Sequence, residues 1–377
     1  PLSSSAASDV YKRQGYGFAS GLPYVLVVIT LTAWLRDIGI DLSLIGFITW
    51  VSLTYSLKFL WAPFVDRFSI PIFNRFGARR SWILSMQIII FIFLLIISEI
   101  DPKANIKYFA FVAFIIALAG SIQDIAIDAL RIESAEIEDQ GNLAAGYQFG
   151  YRIAILVASS LALIIASNFS WTFAYKLMAL ITGLNIIITM IISTENKNLT
   201  LKKLNHIDTM IEPLKDFFER FGLKMAAILL LIIASYRLTD IVMGPMANPF
   251  YIDMGYTLSE IGYIVKVVAL ISTIVGVFVG GILIKKYGLY KSLLIGAFLV
   301  MITNLLFSYT AITDKNLTLL ASIVASDSLA AGIVGTVNIT FLTSLVSQKY
   351  TGFQYALLTS VMTFTGTIFK GFSGVIV

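Results

Sequence analysis

The stretch Gly39-Ile-Asp-Leu-Ser-Leu-Ile-Gly-Phe-Ile48 returns later in the chain as Gly255-Tyr-Thr-Leu-Ser-Glu-Ile-Gly-Tyr-Ile264, with six of ten positions identical. A second signature follows each copy after an apolar run: Phe76-Gly-Ala-Arg-Arg-Ser81 matches Tyr287-Gly-Leu-Tyr-Lys-Ser292. Each copy comes after an odd number of apolar spans, so both enter a membrane from the same side. That is the pattern of two parallel halves of six helices, with a substrate site expected between the halves near the bilayer midplane.

Composition supports a polytopic α-helical membrane protein. Of 377 residues, 58% are hydrophobic, and the apolar segments are about 20 residues long, the length a membrane helix needs. A β-barrel would show alternating segments of about 10 residues. The chain has no cysteine and a single histidine, His206, in a polar stretch. Disulfides, thiolate or imidazole metal sites, cysteine nucleophiles and histidine triads are therefore excluded, and no metal, cofactor or catalytic set is expected. The net charge of +5 records membrane topology rather than a nucleic-acid partner.

Working outward from the repeat, Pro1–Gln14 reads unlike the rest, as a translated scar joined to a truncated start, and residues 1–14 are set aside from the fold. Six spans are predicted at about Gly15–Leu35, Asp41–Trp61, Trp82–Ser98, Tyr108–Asp128, Leu143–Ser167 and Trp171–Ile192, making an amino-terminal bundle over 15–193. In the second span, Lys58 is expected to snorkel to the nearby membrane edge. Residues 194–222 are polar, but Leu201, Leu204, Ile207, Ile211, Leu214, Phe218 and Phe221 recur at helical spacing. They predict an amphipathic surface helix interrupted near Pro213. Five more spans, at about Met225–Pro245, Leu258–Ile284, Leu289–Tyr309, Leu317–Val346 and Gly352–Val377, make a second bundle over 223–377. Two parallel halves with about 11 spans visible imply a fragment lacking its last helix.

Lysine and arginine set the orientation. Alternate loops carry 15 of them, including Arg67, Arg75, Arg79 and Arg80 in the second and Lys197, Lys202, Lys203, Lys215, Arg220 and Lys224 in the central one; the remaining loops carry 4. The amino terminus and central loop are therefore expected in the cytoplasm.

Ionisable residues inside spans mark candidate functional sites. The fourth span ends in Gly120-Ser-Ile-Gln-Asp-Ile-Ala-Ile-Asp-Ala-Leu-Arg-Ile-Glu133, which puts Asp124, Asp128 and Arg131 on one stripe of a helix. Two carboxylates one turn apart in a low dielectric cannot both ionise cheaply unless a cation offsets them, so Asp124 and Asp128 are candidates for proton coupling. Possible partners in neighbouring spans are Lys58, Arg152, Lys176, Arg237, Asp240, Lys266 and Asp327. At 1.5 Å per residue, Arg152 and Asp327 fall close to the midplane and Lys266 roughly 12 Å in from the outside. Arg152 and Lys266 are candidates to hold an anionic substrate, with Asp327, Arg237 and Asp240 in reach of the same region. Gln123, Tyr147 and Gln148, with Tyr55 and Asn338, are candidate sugar contacts or helix–helix hydrogen bonds. A cytoplasmic gate is expected from Asp66, Arg67, Arg79 and Arg80 of the basic loop with Arg131 and Glu133, and Asp128 could belong to it.

Several runs carry a family resemblance: Ser56-Leu-Lys-Phe-Leu-Trp-Ala-Pro63 with Asp66-Arg67, Gln123-Asp-Ile-Ala-Ile-Asp-Ala-Leu-Arg131 with Glu133, Gly150-Tyr-Arg152, Glu260-Ile-Gly262 and Gln354-Tyr-Ala-Leu-Leu358. In this order they resemble the AmpG-type muropeptide permeases of the major facilitator superfamily. The resemblance implies a multi-pass carrier in the bacterial inner membrane. It would import N-acetylglucosaminyl-anhydromuramyl peptides with protons, for cell-wall recycling. Alternative readings are a carrier of another anionic solute such as an acyl-coenzyme A, a transporter-like sensor, and a membrane-embedded transferase using Asp124 or Asp128. The transferase is opposed by the parallel repeat and by the absence of histidine and cysteine from the spans.

Overall fold

The computed structural model describes residues 4–40, 44, 48–134, 140–191, 208–239, 254–256, 260, 267–310 and 312–376. Among them every regular element is helical. In chain order these are α1 (Ser4–Val25), a π turn (Leu26–Thr30), α2 (Leu31–Asp37), α3 (Leu53–Ser56), α4 (Ala62–Arg67), α5 (Ala78–Glu99), α6 (Ile106–Glu133) and α7 (Gln140–Ile155). A second π turn (Leu156–Leu161) leads to α8 (Ala162–Asn168), α9 (Trp171–Ile191), α10 (Asp208–Tyr236), α11 (Ala269–Tyr287), α12 (Leu289–Thr310), α13 (Leu317–Ser344) and α14 (Thr351–Ile376). Eight of the described helices are long and apolar enough to cross a membrane.

The repeat reappears as backbone geometry. Gly77 and Gly288 both stand ahead of a 22-residue helix, at φ 103°, ψ 166° and φ 81°, ψ 165°. A side chain disfavours that region, so only glycine turns the chain there without strain. Ser81 and Ser292, four residues on, are both fully buried. The next helix is 28 residues long in each half, and its first amides are capped by an asparagine, Asn105 for α6 and Asn316 for α13. These are strong N-cap residues because the short amide side chain satisfies donors that have no helical partner. The starts of α5 and α12 lie 211 residues apart (289 less 78), and so do those of α6 and α13 (317 less 106).

The chain divides into two compact units: Pro1–Ala135 with Phe149–Phe217 and Ser347–Ser360, and Glu136–Gln148 with Phe218–Val346 and Val361–Val377. The first has a continuous apolar core from Leu22, Leu26, Ile90, Leu94, Phe109, Ile116 and Met178. Trp34 stacks on Trp171 at 5.8 Å and meets Phe109 edge-on at 5.1 Å. The two π turns are tied together there: the Thr30 hydroxyl donates to the Ala158 carbonyl at 2.5 Å, and the Tyr175 hydroxyl to that of Leu26 at 3.0 Å. A π turn misaligns the helical hydrogen-bond ladder, and these hydroxyls supply donors to its carbonyls. In the second unit, α11 and α13 meet through small residues. A Cβ on Gly276 would lie 2.2 Å from the Leu329 carbonyl oxygen, and one on Gly332 would lie 2.3 Å from that of Thr273.

Three sequence expectations change. The first helix reaches back to Ser4, into the residues set aside as a scar, while its apolar span, Arg13–Leu35, keeps close to the expected Gly15–Leu35, and Arg13 is buried. The described stretch 48–61 of the second span is a string of short α and 3-10 turns, because Leu57 leaves helical geometry at φ −105°, ψ 14°. Lys58 follows it and is buried, so it does not snorkel. In the linker, α10 runs through Pro213 and breaks at Gly222, φ 71°. Pro213 is the sixth residue of that helix, so it costs one i→i−4 bond, to the Thr209 carbonyl, without ending the helix.

Candidate functional site

Helix α6 contributes the acidic stripe of the first unit. Lys58 Nζ lies 2.7 Å from Asp124 Oδ2 and 3.4 Å from Asp128 Oδ2, and Arg131 Nη2 lies 3.8 Å from Asp128 Oδ1. The Ser20 hydroxyl of α1 donates to Asp124 Oδ1. The Tyr355 ring of α14 covers both cations, its centroid 6.0 Å from Lys58 Nζ and 5.2 Å from Arg131 Cζ. Lys58, Asp128, Arg131 and Tyr355 are all buried. Two carboxylates and two cations make the group formally neutral, which is what burial requires: losing one partner of a buried pair costs about 3–5 kcal/mol.

A second cluster lies at the end of α6. Arg79 meets Glu133 through two parallel bonds, Nη2 to Oε1 at 2.6 Å and Nε to Oε2 at 3.1 Å, and reaches Asp66 Oδ1 at 2.8 Å. Paired bonds of this kind add geometric specificity to charge. The Asp66 carboxylate also accepts the Gly352 and Phe353 amides, at 3.0 and 2.7 Å. It thereby caps the first turn of α14, where unpartnered N–H groups and the helix dipole favour an anion. Thr351 completes the group: its hydroxyl donates to Glu133 and accepts from Arg79 Nη2. A Cβ at Gly352 would stand 2.4 Å from Asp66 Oδ1, so the approach depends on glycine. Burial raises the Asp66 carboxyl above its usual range, with Arg79 and the Phe353 amide pulling the other way.

The same turn of α14 is fastened from the linker side. Gln354 Nε2 donates to the Pro213 carbonyl and to Asp216 Oδ2, both at 2.8 Å, while its Oε1 accepts the Ser347 amide at 2.7 Å. Tyr350 donates to Glu212 at 2.8 Å.

Among the residues singled out from sequence, Asp124 and Asp128 therefore meet Lys58, Arg131 meets Asp128, and Asp66 and Glu133 both meet Arg79. The ionic partner of Asp66 is Arg79; Arg67 stacks on Phe68 at 5.1 Å. Arg80 donates to the carbonyls of Thr189 and Met190 at the end of α9. Gln123 makes a helix–helix bond, Nε2 to the Ala19 carbonyl at 2.6 Å, and Asn338 donates to the Met362 sulfur at 2.9 Å. Tyr55 packs edge-on against Tyr24 at 4.9 Å. Arg152 is half-buried on α7 in the first unit; Tyr147, buried, and Gln148, Asp327 and Arg237, half-buried, belong to the second. Asp240 and Lys266 lie outside the described residues. Lys176 pairs at 2.5 Å with Glu99 in an exposed position. Sequence reasoning missed Ser20, Thr351, the two α14 amides and Tyr355. The Gln354-Tyr355 pair stands within one of the runs that carried the family resemblance, which was the available signal.

Known proteins with similar sequences point the same way. The model of the Major Facilitator Superfamily matches residues 16–369. A Rickettsia conorii transporter designated AmpG 4 is 35% identical over 367 residues, covering 94% of this chain and 87% of its own. The anhydromuropeptide permease of Escherichia coli K12 is 33% identical over 357 residues, covering 94% and 71%. Two solved structures share the fold at low identity. A bacterial homologue of the iron transporter ferroportin, outward-facing, has a TM-score of 0.73 at 13% identity over 98% of this chain and 92% of its own. A proton:xylose symporter has a TM-score of 0.66 at 14% identity over 98% and 88%.

Proposed function

This chain belongs to the AmpG-type transporters of the major facilitator superfamily, and on that premise we propose that it imports anhydromuropeptides across a bacterial inner membrane, driven by protons. The proposed topology has the amino terminus in the cytoplasm, six-helix halves over 15–193 and 223–377, and the linker 194–222 between them. It rests on the basic residues that crowd alternate loops.

The observation that carries the reading is the buried Lys58–Asp124–Asp128 cluster. A transmembrane α-helix holds ionisable groups at this depth only for a task or a partner, and here the partner can be exchanged. When Asp124 takes a proton, Lys58 keeps Asp128 and loses half its compensation. The cluster must then repack, and the repacking links proton occupancy to helix position. Asp66, Arg79 and Glu133 act as the cytoplasmic latch, with Arg67, Arg80 and Arg131 as supporting cations. A muropeptide presents carboxylates, amides and hydroxyls. Arg152 and Lys266 are proposed to hold the carboxylates, and Gln123, Tyr147, Gln148, Asp327, Arg237 and Asp240 to line the remaining polar surface.

The test is uptake of labelled anhydromuropeptide in cells lacking their own permease, paired with exchange in proteoliposomes. Asp124→Asn, which fixes the protonated shape, should keep exchange and lose accumulation against a gradient. Accumulation that persists in this variant, and still collapses with the pH gradient, would move the proton to another residue. Uptake of an acyl-coenzyme A in place of the muropeptide would overturn the substrate.

A further inference from the structure

We infer that Tyr355 is the seal on the buried charge cluster, and that the latch opens it. The inference rests on the functional reading above for the meaning of the cluster, but its geometry stands independently. Tyr355 is 3% exposed, and its ring faces the two cations that neutralise Asp124 and Asp128, Lys58 from the broken second span and Arg131 from α6. A ring face attracts a cation through its quadrupole, most strongly where water is excluded. The charged groups around the ring are thus Lys58, Asp124, Asp128 and Arg131, with the Ser20 hydroxyl behind Asp124.

Tyr355 is also mechanically committed. It follows Gly352 and Phe353, whose amides are held by Asp66, and Gln354, which is held by Pro213 and Asp216. Residues 351–355 of α14 form little more than one helical turn. The turn cannot leave Asp66 and Arg79 while its ring stays on Lys58 and Arg131. Releasing the latch therefore uncovers the cluster from the latch side, and closing it buries the cluster again. In this arrangement the gate and the acid–base site cannot move separately. Tyr355 is a positioning residue that acts through the two cations.

The 377 residues hold no cysteine, so a single thiol introduced into them reports accessibility without background. The experiment places Ser20→Cys beside Asp124 and measures its modification by a membrane-impermeant methanethiosulfonate applied from the latch side of membrane vesicles. Modification should be slow with Tyr355 in place and about tenfold faster in Tyr355→Leu, which keeps bulk but loses the π face. It should stay slow in Tyr355→Phe and rise with Asp66→Asn, which releases the latch. Each variant is compared at equal membrane abundance, with Tyr355→Phe guarding against a mere folding defect. A Tyr355→Leu rate equal to the parent would overturn the seal, and so would a Tyr355→Phe rate as fast as that of Tyr355→Leu. A latch variant that fails to raise the rate would overturn the link between gate and cluster. The labelling involves no transport, so its failure is distinct from a failure of proton coupling, which the Asp124→Asn exchange measurement judges.

Discussion

Helices α6 and α13 are the same object built twice, and their interiors are opposite. Both are 28 residues long and capped by asparagine. Yet Gln123, Asp124, Asp128, Arg131 and Glu133 of the first stand, at the shared spacing of 211 (317 less 106), where the second has Val334, Gly335, Ile339, Leu342 and Ser344. Before α5 and α12 the same contrast holds: Arg79, centre of the latch, matches Tyr290, which is 71% exposed. The retained positions are the ones that punctuate the backbone, Gly77 with Gly288, Ser81 with Ser292, and Asn105 with Asn316. Punctuation specifies the frame, and charge placed on one copy specifies the chemistry. The second copy instead spends its interior on close packing through Gly276 and Gly332.

The largest expected effect breaks the charged copy. Lys58→Ala strands two buried carboxylates beside one remaining cation, and stability should fall by about 3–5 kcal/mol, read as lost membrane abundance and a lower melting temperature in detergent. Adding Asp124→Asn to Lys58→Ala removes one carboxylate as well and leaves Asp128 with Arg131. Much of the lost stability should return, because coupled partners are not additive. A double variant no better than the single would mean that the cluster is not an ion-pair unit, and the contrast with α13 would lose its physical basis.

An intermediate effect tests the packed copy. In Gly332→Ala the new Cβ meets the Thr273 carbonyl oxygen at 2.3 Å and the Val277 amide nitrogen at 2.9 Å. Both are backbone atoms that yield only if the helices part, and overpacking of this kind costs about 1–3 kcal/mol. In Gly120→Ala, on α6, the nearest atom is the Tyr55 hydroxyl at 2.2 Å, the far end of a side chain that can swing aside. Melting temperatures should therefore drop clearly for Gly332→Ala and little for Gly120→Ala. Equal losses would show that both copies depend on close packing alike.

The frame was legible in the sequence because its determinants are local. A glycine before a helix and a serine four residues on act within one turn, and long apolar spans need no tertiary information. The acidic stripe was legible for the same reason, since Asp124, Asp128 and Arg131 share one helix. Its cation was legible only as one candidate among several: Lys58 stands beside Arg152, Lys176, Arg237 and Lys266 as a possible partner, and nothing local announces that the span breaks at Leu57 and leaves Lys58 buried against Asp124 and Asp128. The latch partner was harder still. Arg67 and Arg79 are alike in composition, and the choice between them depends on how the 3-10 turn at Pro71–Phe76 folds back. The other half of the latch is two backbone amides, which no side-chain pattern records.

The smallest expected effect separates burial from proximity. Lys176 and Glu99 approach to 2.5 Å, closer than Lys58 and Asp124 at 2.7 Å, yet their side chains are 44% and 63% exposed against 7% and 15%. If distance set the strength of an ion pair, Lys176→Ala would be the more damaging change. Water screens an exposed pair and hydrates either partner when the other is removed, and holding two long side chains in one geometry costs conformational entropy. Such pairs contribute roughly 0–1 kcal/mol. Lys176→Ala should therefore leave melting temperature and abundance near those of the parent, with whatever small difference remains shrinking further in high salt. A loss comparable to that of Lys58→Ala would mean that the protein surroundings of the two pairs are equivalent. Depth inside the first unit would then no longer explain why the acidic stripe of α6 needs a cation.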